Sequence, residues 1–261
     1  MRILVTNDDG VDAPGIKPLA IALAADGHDV VVVAPTSDRS GSGAAIGKLF
    51  GVDPPEIVRH EWPELPDVAV HAIDAPPATA VLGAALGGFG DPPDLVASGI
   101  NPGANTGHLV IHSGTVGAAL TAAGLDIPGL AVSLPWTTET EYYWETAARF
   151  AVAAIEWVAK AEGGAPRVLN LNVPNLPMDE IKGVREAELA PHGEVWIASA
   201  DSSAGDLKLA FEGRSDSAPG TDVAFIRDGY VAVTPLMSVV RAPLLGAAEA
   251  VAAALPDSPS D

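Results

Sequence analysis

Residues 28–34 read His-Asp-Val-Val-Val-Val-Ala. An unbroken apolar run leaves no polar face for solvent. A strand built from it must be covered on both sides, as in a parallel sheet flanked by helices. A second such run, Ile3-Leu4-Val5, lies one helix length upstream. Between them Pro14-Gly15 opens a segment with apolar Ile16, Leu19, Ala20 and Leu23 at i, i+3, i+4 and i+7, and Gly27 stops it. A β-α-β unit therefore closes within the first 34 residues, and its crossover is expected to be right-handed.

The alternation continues. Strands are predicted over 68–73, 94–98, 130–134 and 168–173, and helices over 77–88, 116–124 and 141–161. The last helix carries Tyr143, Ala147, Phe150, Ala154 and Val158 on one stripe. The expected fold is α/β: a Rossmann-like, doubly wound, mostly parallel sheet over residues 1–175. After that the pattern changes. Residues 184–234 alternate short β-like runs with turn clusters such as SADSSAG and GRSDSAPG. We expect a β-rich extension over 176–243 whose exposed strands invite pairing with another subunit. A closing helix over 244–255, with stripe Leu244, Ala248, Val251 and Leu255, and a disordered tail over 256–261 are also expected.

Composition narrows the function. The 261 residues include 34 acidic and 14 basic side chains, a formal charge of -20. Such a chain repels nucleic acid and anionic membranes, yet it can hold a small anion where a cation reverses the local field. It has no cysteine, which excludes a disulfide framework, a thiol nucleophile and Cys-ligated zinc. Met1-Arg2 leads directly into a short strand, unlike a signal peptide, and no apolar stretch is long enough to span a bilayer; a cytoplasmic location is expected.

In an open parallel sheet, ligands bind beyond the carboxyl ends of the strands. The segments there are Asn7-Asp8-Asp9-Gly10, then PTSDRSGSG at 35–43, then GINPGANTGHLVIHSGTVG at 99–117. Read alone, the first is a polar turn. Placed at the end of a buried strand, the adjacent carboxylates of Asp8 and Asp9 repel, and a divalent cation removes that conflict. Oxygen ligands favour magnesium, manganese or calcium over zinc or copper. Ser40 can add a hydroxyl and Asn101 an amide oxygen, although each also reads as an ordinary cap or turn residue. Ser113, Gly114 and Thr115 precede a helix, whose first N–H groups and partial positive charge suit a phosphate. They equally read as simple caps, and no P-loop lysine is present. His108 and His112 fall nearby as a general acid or phosphate donor, or as packed or solvated histidines.

These segments resemble the SurE family of stationary-phase survival proteins. RILVTNDDGVDAPGI, VVAPTSDRSGSG, SGINPGAN and HSGTVGAA are similar to four of its motifs in order, and VLNLNVPNLP, IKGVRE and PGTDVAFIRDGYVAVTPL to later segments. The resemblance implies a metal-dependent phosphatase that hydrolyses nucleoside 5'- and 3'-monophosphates, with one divalent ion held by Asp8, Asp9, Ser40 and Asn101. It implies phosphate contacts at Asn105, Ser113, Gly114 and Thr115, and assembly through the C-terminal β region. The chain departs from the family in Thr36-Ser37-Asp38 of the second loop, in His112 before Ser-Gly-Thr, and in His108-Leu109. Those departures bear on substrate choice and leave the implied ligands in place.

In the hydrolysis so implied, Asp8 either steers a water or attacks phosphorus directly. Two other functions are compatible with parts of the sequence. One is a catalytically silent metal- or nucleotide-binding module that works by oligomerising. The other is a sugar-nucleotide transferase, which needs a second Rossmann-like domain that residues 175–261 are too short to provide.

Overall fold

A computed structural model describes residues 1–47, 54–138, 141–160, 167–202, 206, 208–213 and 218–239. In chain order the elements are β1 (Arg2–Thr6), α1 (Ile16–Ala25), β2 (Asp29–Pro35), β3 (Ile57–His60), β4 (Ala69–Ile73), α2 (Pro77–Ala85), β5 (Leu95–Pro102), α3 (Gly114–Gly124), β6 (Gly129–Leu134), α4 (Trp144–Ala159), β7 (Val168–Asn172), β8 (Val184–Glu186), β9 (Val195–Asp201), β10 (Lys208–Gly213), α5 (Asp222–Arg227) and β11 (Val231–Leu236). Single 3-10 turns occupy Gly107–His112 and Met178–Glu180.

Strand β1 is the spine. It pairs in parallel with β2, Ile3 opposite Val30, and with β5, Ile3 opposite Leu95. Ile3, Leu4 and Val5 are fully buried, as a strand covered on both faces requires. The nine-stranded sheet has the order β3-β4-β2-β1-β5-β6-β7-β11-β8. The strands from β4 through β7 are parallel, β3 closes one edge antiparallel to β4, and β11 runs antiparallel to β7. The chain winds from β1 outward through β2, then returns to start again at β5. That places the topological switch point between β1 and β5, where such sheets bind ligands.

Both faces are covered. Helices α1 and α4 share one apolar cluster that includes Ile16, Leu19, Leu23, Ala147 and Ile155. Helices α2 and α3 pack on the opposite face with Leu4, Val31, Val33, Ala80, Val81 and Ala118. The α1 stripe of Ile16, Leu19, Ala20 and Leu23 is buried as its spacing predicts.

The expected doubly wound, mostly parallel α/β architecture is present. Several details differ from the sequence reading. Strand β3 is a short edge strand of mostly exposed residues, so it lacks the alternation that marks a half-buried strand. Strand β5 runs on to Pro102, with a register shift between Ser98 and Asn101. Strands β8 and β11 lie beyond residue 175 yet belong to the main sheet, because β11 pairs with β7 and β8 with β11. Among the described residues, only the antiparallel pair β9–β10 forms a separate sheet. The expected closing helix over 244–255 and tail over 256–261 lie outside the described residues. Among the described residues no helix is long and apolar enough to cross a membrane.

Candidate active site

At the carboxyl end of β1 the backbone turns through Asn7. The Asn7 amide donates to Gly10 O at 2.9 Å and its Oδ1 accepts from Gly10 N at 3.2 Å. This side-chain turn holds the first loop in place and presents Asp8 and Asp9 next to each other.

Asp8 is 3% exposed. Its Oδ1 accepts from Thr115 Oγ1 at 2.5 Å, and its backbone carbonyl accepts from Arg39 N at 2.7 Å. One residue thus joins the first loop to the second loop and to the start of α3. Burial pushes the Asp8 carboxyl above its ordinary range, and the Thr115 hydrogen bond opposes that push. Asp9 is raised further, to about 7, by burial first and then by the negative charges of Asp8 and Asp38. Asp9 Oδ2 is buried and has no hydrogen-bond partner.

Helix α3 begins hard against this pair. A Cβ on Gly114 would lie 2.6 Å from Asp8 Cβ, 2.7 Å from Ser42 Oγ and 2.8 Å from Asp8 Oδ2. Only glycine permits the helix start to come this close. Ser113 is the N-cap, its hydroxyl accepting from Val116 N at 3.1 Å. The second loop is pressed onto the same helical turn, with Gly43 N donating to His112 O at 3.0 Å.

The third loop follows β5. Asn101 Nδ2 donates to Gly103 O at 2.6 Å, which leaves Oδ1 as the end of the amide able to accept or ligate. Asn105 is tied on all sides: its N–H donates to Asn172 Oδ1 at 2.9 Å and its Nδ2 to Ser133 Oγ at 2.8 Å. Its carbonyl accepts from Asn170 Nδ2 at 2.8 Å and Asn172 Nδ2 at 2.9 Å. Asn170, Asn172 and Ser133 are fully buried. These four hydrogen bonds hold Asn105 against β6 and β7.

Of the residues singled out from sequence, Asp8, Asp9, Gly114 and Thr115 are gathered into one packed cluster, and Ser113 caps the helix that abuts it. Ser40 is exposed, and its hydroxyl donates at 2.6 Å to Oδ1 of Asp38, the carboxylate whose charge helps raise Asp8 and Asp9. His108 and His112 are exposed. Among the described residues no cluster of three or more His, Asp or Glu side chains stands at metal-ligand spacing, so any cation here relies on two carboxylates and neutral oxygens. Such a set fits a hard divalent ion: burial pushes the adjacent Asp8 and Asp9 carboxyls both upward, and the buried Asp9 Oδ2 lacks a partner among the described residues.

Sequence reasoning missed four residues. Ser42 turns a buried, unpartnered hydroxyl to the cluster. Asn170 and Asn172 support Asn105, and their alternation with leucine in VLNLNV signals a polar face inside a buried strand. Asp222, fully buried, accepts from Gly107 N at 2.8 Å and Ala190 N at 3.0 Å and so ties the loop before α3 to the C-terminal region.

Fold and site together define a class: a doubly wound α/β protein with a paired-carboxylate, all-oxygen site at its switch point, closed by a helix N-terminus. Residues 3–194 match the family described as survival protein SurE, and the chain belongs to that family. It is 40% identical over 243 residues to 5'-nucleotidase SurE of Stenotrophomonas maltophilia (strain K279a), covering 90% of this chain and 89% of the relative. It is 37% identical over 254 residues to 5'-nucleotidase SurE of Xanthomonas campestris pv. campestris (strain B100), with the same coverages. The crystal structure of the SurE protein from Aquifex aeolicus superposes with a TM-score of 0.73 at 31% identity, covering 92% of this chain and 95% of that one.

Proposed function

We propose that the chain is a metal-dependent nucleotidase of the cytoplasm that hydrolyses nucleoside 5'- and 3'-monophosphates to nucleoside and phosphate. The observation that carries this reading is the buried, unpartnered oxygen of Asp9 beside Asp8, at the start of α3, in a chain whose relatives are named 5'-nucleotidases. Magnesium or manganese is the ion best suited to the oxygen set, held by Asp8, Asp9 and Asn101 Oδ1, with Ser40 joining when its hydroxyl leaves Asp38. When bound there, a divalent ion would supply positive charge to the phosphoryl oxygens and would lower the pKa of a bound water.

The chain's own residues do the rest. Thr115 holds Asp8 Oδ1 and fixes the direction of its carboxylate. Asp9, with its carboxyl raised to about 7, keeps its proton near neutrality until a cation displaces it. The start of α3, at Ser113, Gly114 and Thr115, offers N–H groups and the positive end of the helix dipole to the phosphoryl group. Asn105, locked by Asn170, Asn172 and Ser133, sets the other side of the phosphate site. Charge that spreads over the phosphoryl oxygens as the ester bond breaks is met by donors already in position. The β9–β10 pair, apart from the main sheet, is suited to pairing subunits in a homodimer or homotetramer.

The test is phosphate release from a panel of nucleoside 5'- and 3'-monophosphates, with magnesium, manganese or a chelator present. Metal-dependent release is expected. Absence of release with every ion would refute the reading and favour a silent binding module.

A further inference from the structure

We infer that Ser42 is a substrate-binding residue of this site: its hydroxyl donates a hydrogen bond to an oxygen of the bound phosphoryl group. The inference rests on the nucleotidase reading above and adds to it a donor from the second loop.

The second loop carries two serines, and the structure distinguishes them. Ser40 is exposed and its hydroxyl is spent on Asp38. Ser42 Oγ is enclosed and has no partner. A buried hydroxyl without a hydrogen bond is unfavourable, and native structures keep one where another molecule satisfies it. The backbone around Ser42 leaves little freedom to relieve it. Ser42 N donates to Arg39 O at 3.1 Å, its carbonyl accepts from Ala45 N at 3.1 Å, and Gly43 N is bonded to His112 O. Gly43 O lies 2.2 Å from where a Cβ on Gly117 would stand, so the loop is pressed against the first turns of α3.

The direction of the hydroxyl is fixed by a shared neighbour. The point where Gly114 would carry a Cβ is 2.7 Å from Ser42 Oγ and 2.8 Å from Asp8 Oδ2. Ser42 Oγ and the Asp8 carboxylate therefore both lie against the first residue of α3. Three features distinguish the ligand that Ser42 takes there. Asp8 contributes a carboxylate on one side. The helix start contributes N–H groups and partial positive charge. Ser42 contributes an O–H that has no acceptor among the described residues. A group that brings several acceptor oxygens to a helix N-terminus, beside a cation on the carboxylates, is a phosphoryl group.

The experiment compares the full-length wild type with Ser42→Ala, using orthophosphate and manganese as probes. Three quantities are read: the Tm of the protein alone, manganese affinity by titration calorimetry, and orthophosphate affinity at saturating manganese. Ser42→Ala is expected to keep or raise the Tm, since it removes an unsatisfied hydroxyl. It should leave manganese affinity within about twofold, weaken orthophosphate about 10- to 100-fold, and raise KM for a nucleoside monophosphate by a comparable factor. A lowered Tm with unchanged orthophosphate affinity would assign Ser42 a structural role and overturn the inference. A loss confined to manganese affinity would make it a cation ligand and overturn it equally. If the wild type itself released no phosphate from any nucleotide, the nucleotidase reading would fall, and that result is seen without the variant.

Discussion

Asp9→Asn separates what the paired carboxylates do for folding from what they do for chemistry. Burial and the charges of Asp8 and Asp38 raise the Asp9 carboxyl from 3.8 to about 7. At about 1.4 kcal/mol per pH unit, that displacement opposes ionisation in the folded state by about 4 kcal/mol. Asp9 keeps some contact with solvent, so we take about 2–4 kcal/mol as the working range. The sign follows from the direction of the displacement. Below pH 3.8 both states are protonated and Asp9 has no effect. Between 3.8 and about 7 the unfolded chain releases a proton that the folded chain retains, so stability falls as pH rises. Above about 7 the full penalty is present. Asparagine carries no charge at any of these pH values, and its amide can donate to the neighbouring carboxylates. Without divalent ions, Asp9→Asn should therefore melt above wild type at pH 8, by roughly 5–15 °C for a chain of this size, and match it near pH 4. Saturating manganese should raise the Tm of wild type at pH 8 and leave the variant nearly unmoved, while phosphate release by the variant is abolished. A variant that melts at or below wild type at pH 8 in a chelator, or a difference independent of pH, refutes the claim that Asp9 is held ionised at a cost.

Three further outcomes follow from the same geometry. Gly114→Ala, which in an open helix would stabilise by up to about 1 kcal/mol, should instead destabilise by about 1–3 kcal/mol in urea unfolding and remove phosphate release, because the methyl would lie 2.6 Å from Asp8 Cβ. Asn172→Ala should destabilise by about 1–3 kcal/mol and raise KM for the nucleotide, since it leaves Asn105 N–H without its acceptor. Manganese binding at pH 6.5 should expel at least about half a proton, and almost none at pH 9, when titrated in buffers of different ionisation enthalpy.

The parts of the fold legible in the sequence were those where burial repeats with a period. Ile3-Leu4-Val5, the valine run of β2 and the Ile16–Leu23 stripe are sandwiched or one-sided surfaces, and composition alone reports them. Strand β3 carries no such record, because an edge strand with exposed side chains buries almost nothing. Helix α5, six residues long, is too short to repeat a stripe. Strand β11 was visible as a β-like run, but its place beside β7 rests on long-range pairing such as Ala232 with Asn172, which local pattern does not encode. Asp8 and Asp9 were legible because they follow β1 at the carboxyl edge of the sheet, and Asn101 because it stands near the carboxyl end of β5. Ser42 was not. Within Arg-Ser-Gly-Ser-Gly either serine can face inward, and the choice is made by Gly43 bonding to His112 and packing on α3.

The same contacts bear on how the site keeps its shape with so few charged ligands. Asp8 is held at both ends: its carbonyl carries the second loop through Arg39 N, and its carboxylate carries the start of α3 through Thr115. Arg39 in turn reaches Asp74 at the end of β4, so the second loop is anchored at two points of the sheet. On the other side, Thr106 Oγ1 accepts at 3.0 Å from the N–H of Glu194, one residue before β9 begins, and Asp222 accepts from the N–H of Gly107, the first residue of the 3-10 turn leading to α3. The root of the β9–β10 pair and the 3-10 turn before α3 are thus joined through three consecutive residues, Asn105 to Gly107: the N–H groups of Asn105 and Gly107 and the hydroxyl of Thr106 are each hydrogen-bonded to a different part of the chain. A strain applied at the hairpin, by a partner subunit or by a substitution at its base, has a short and fully bonded route to Asn105. Thr106→Ala, which removes only the Glu194 contact, should leave Asp8 and Thr115 undisturbed, so any change in KM that it produces measures that route.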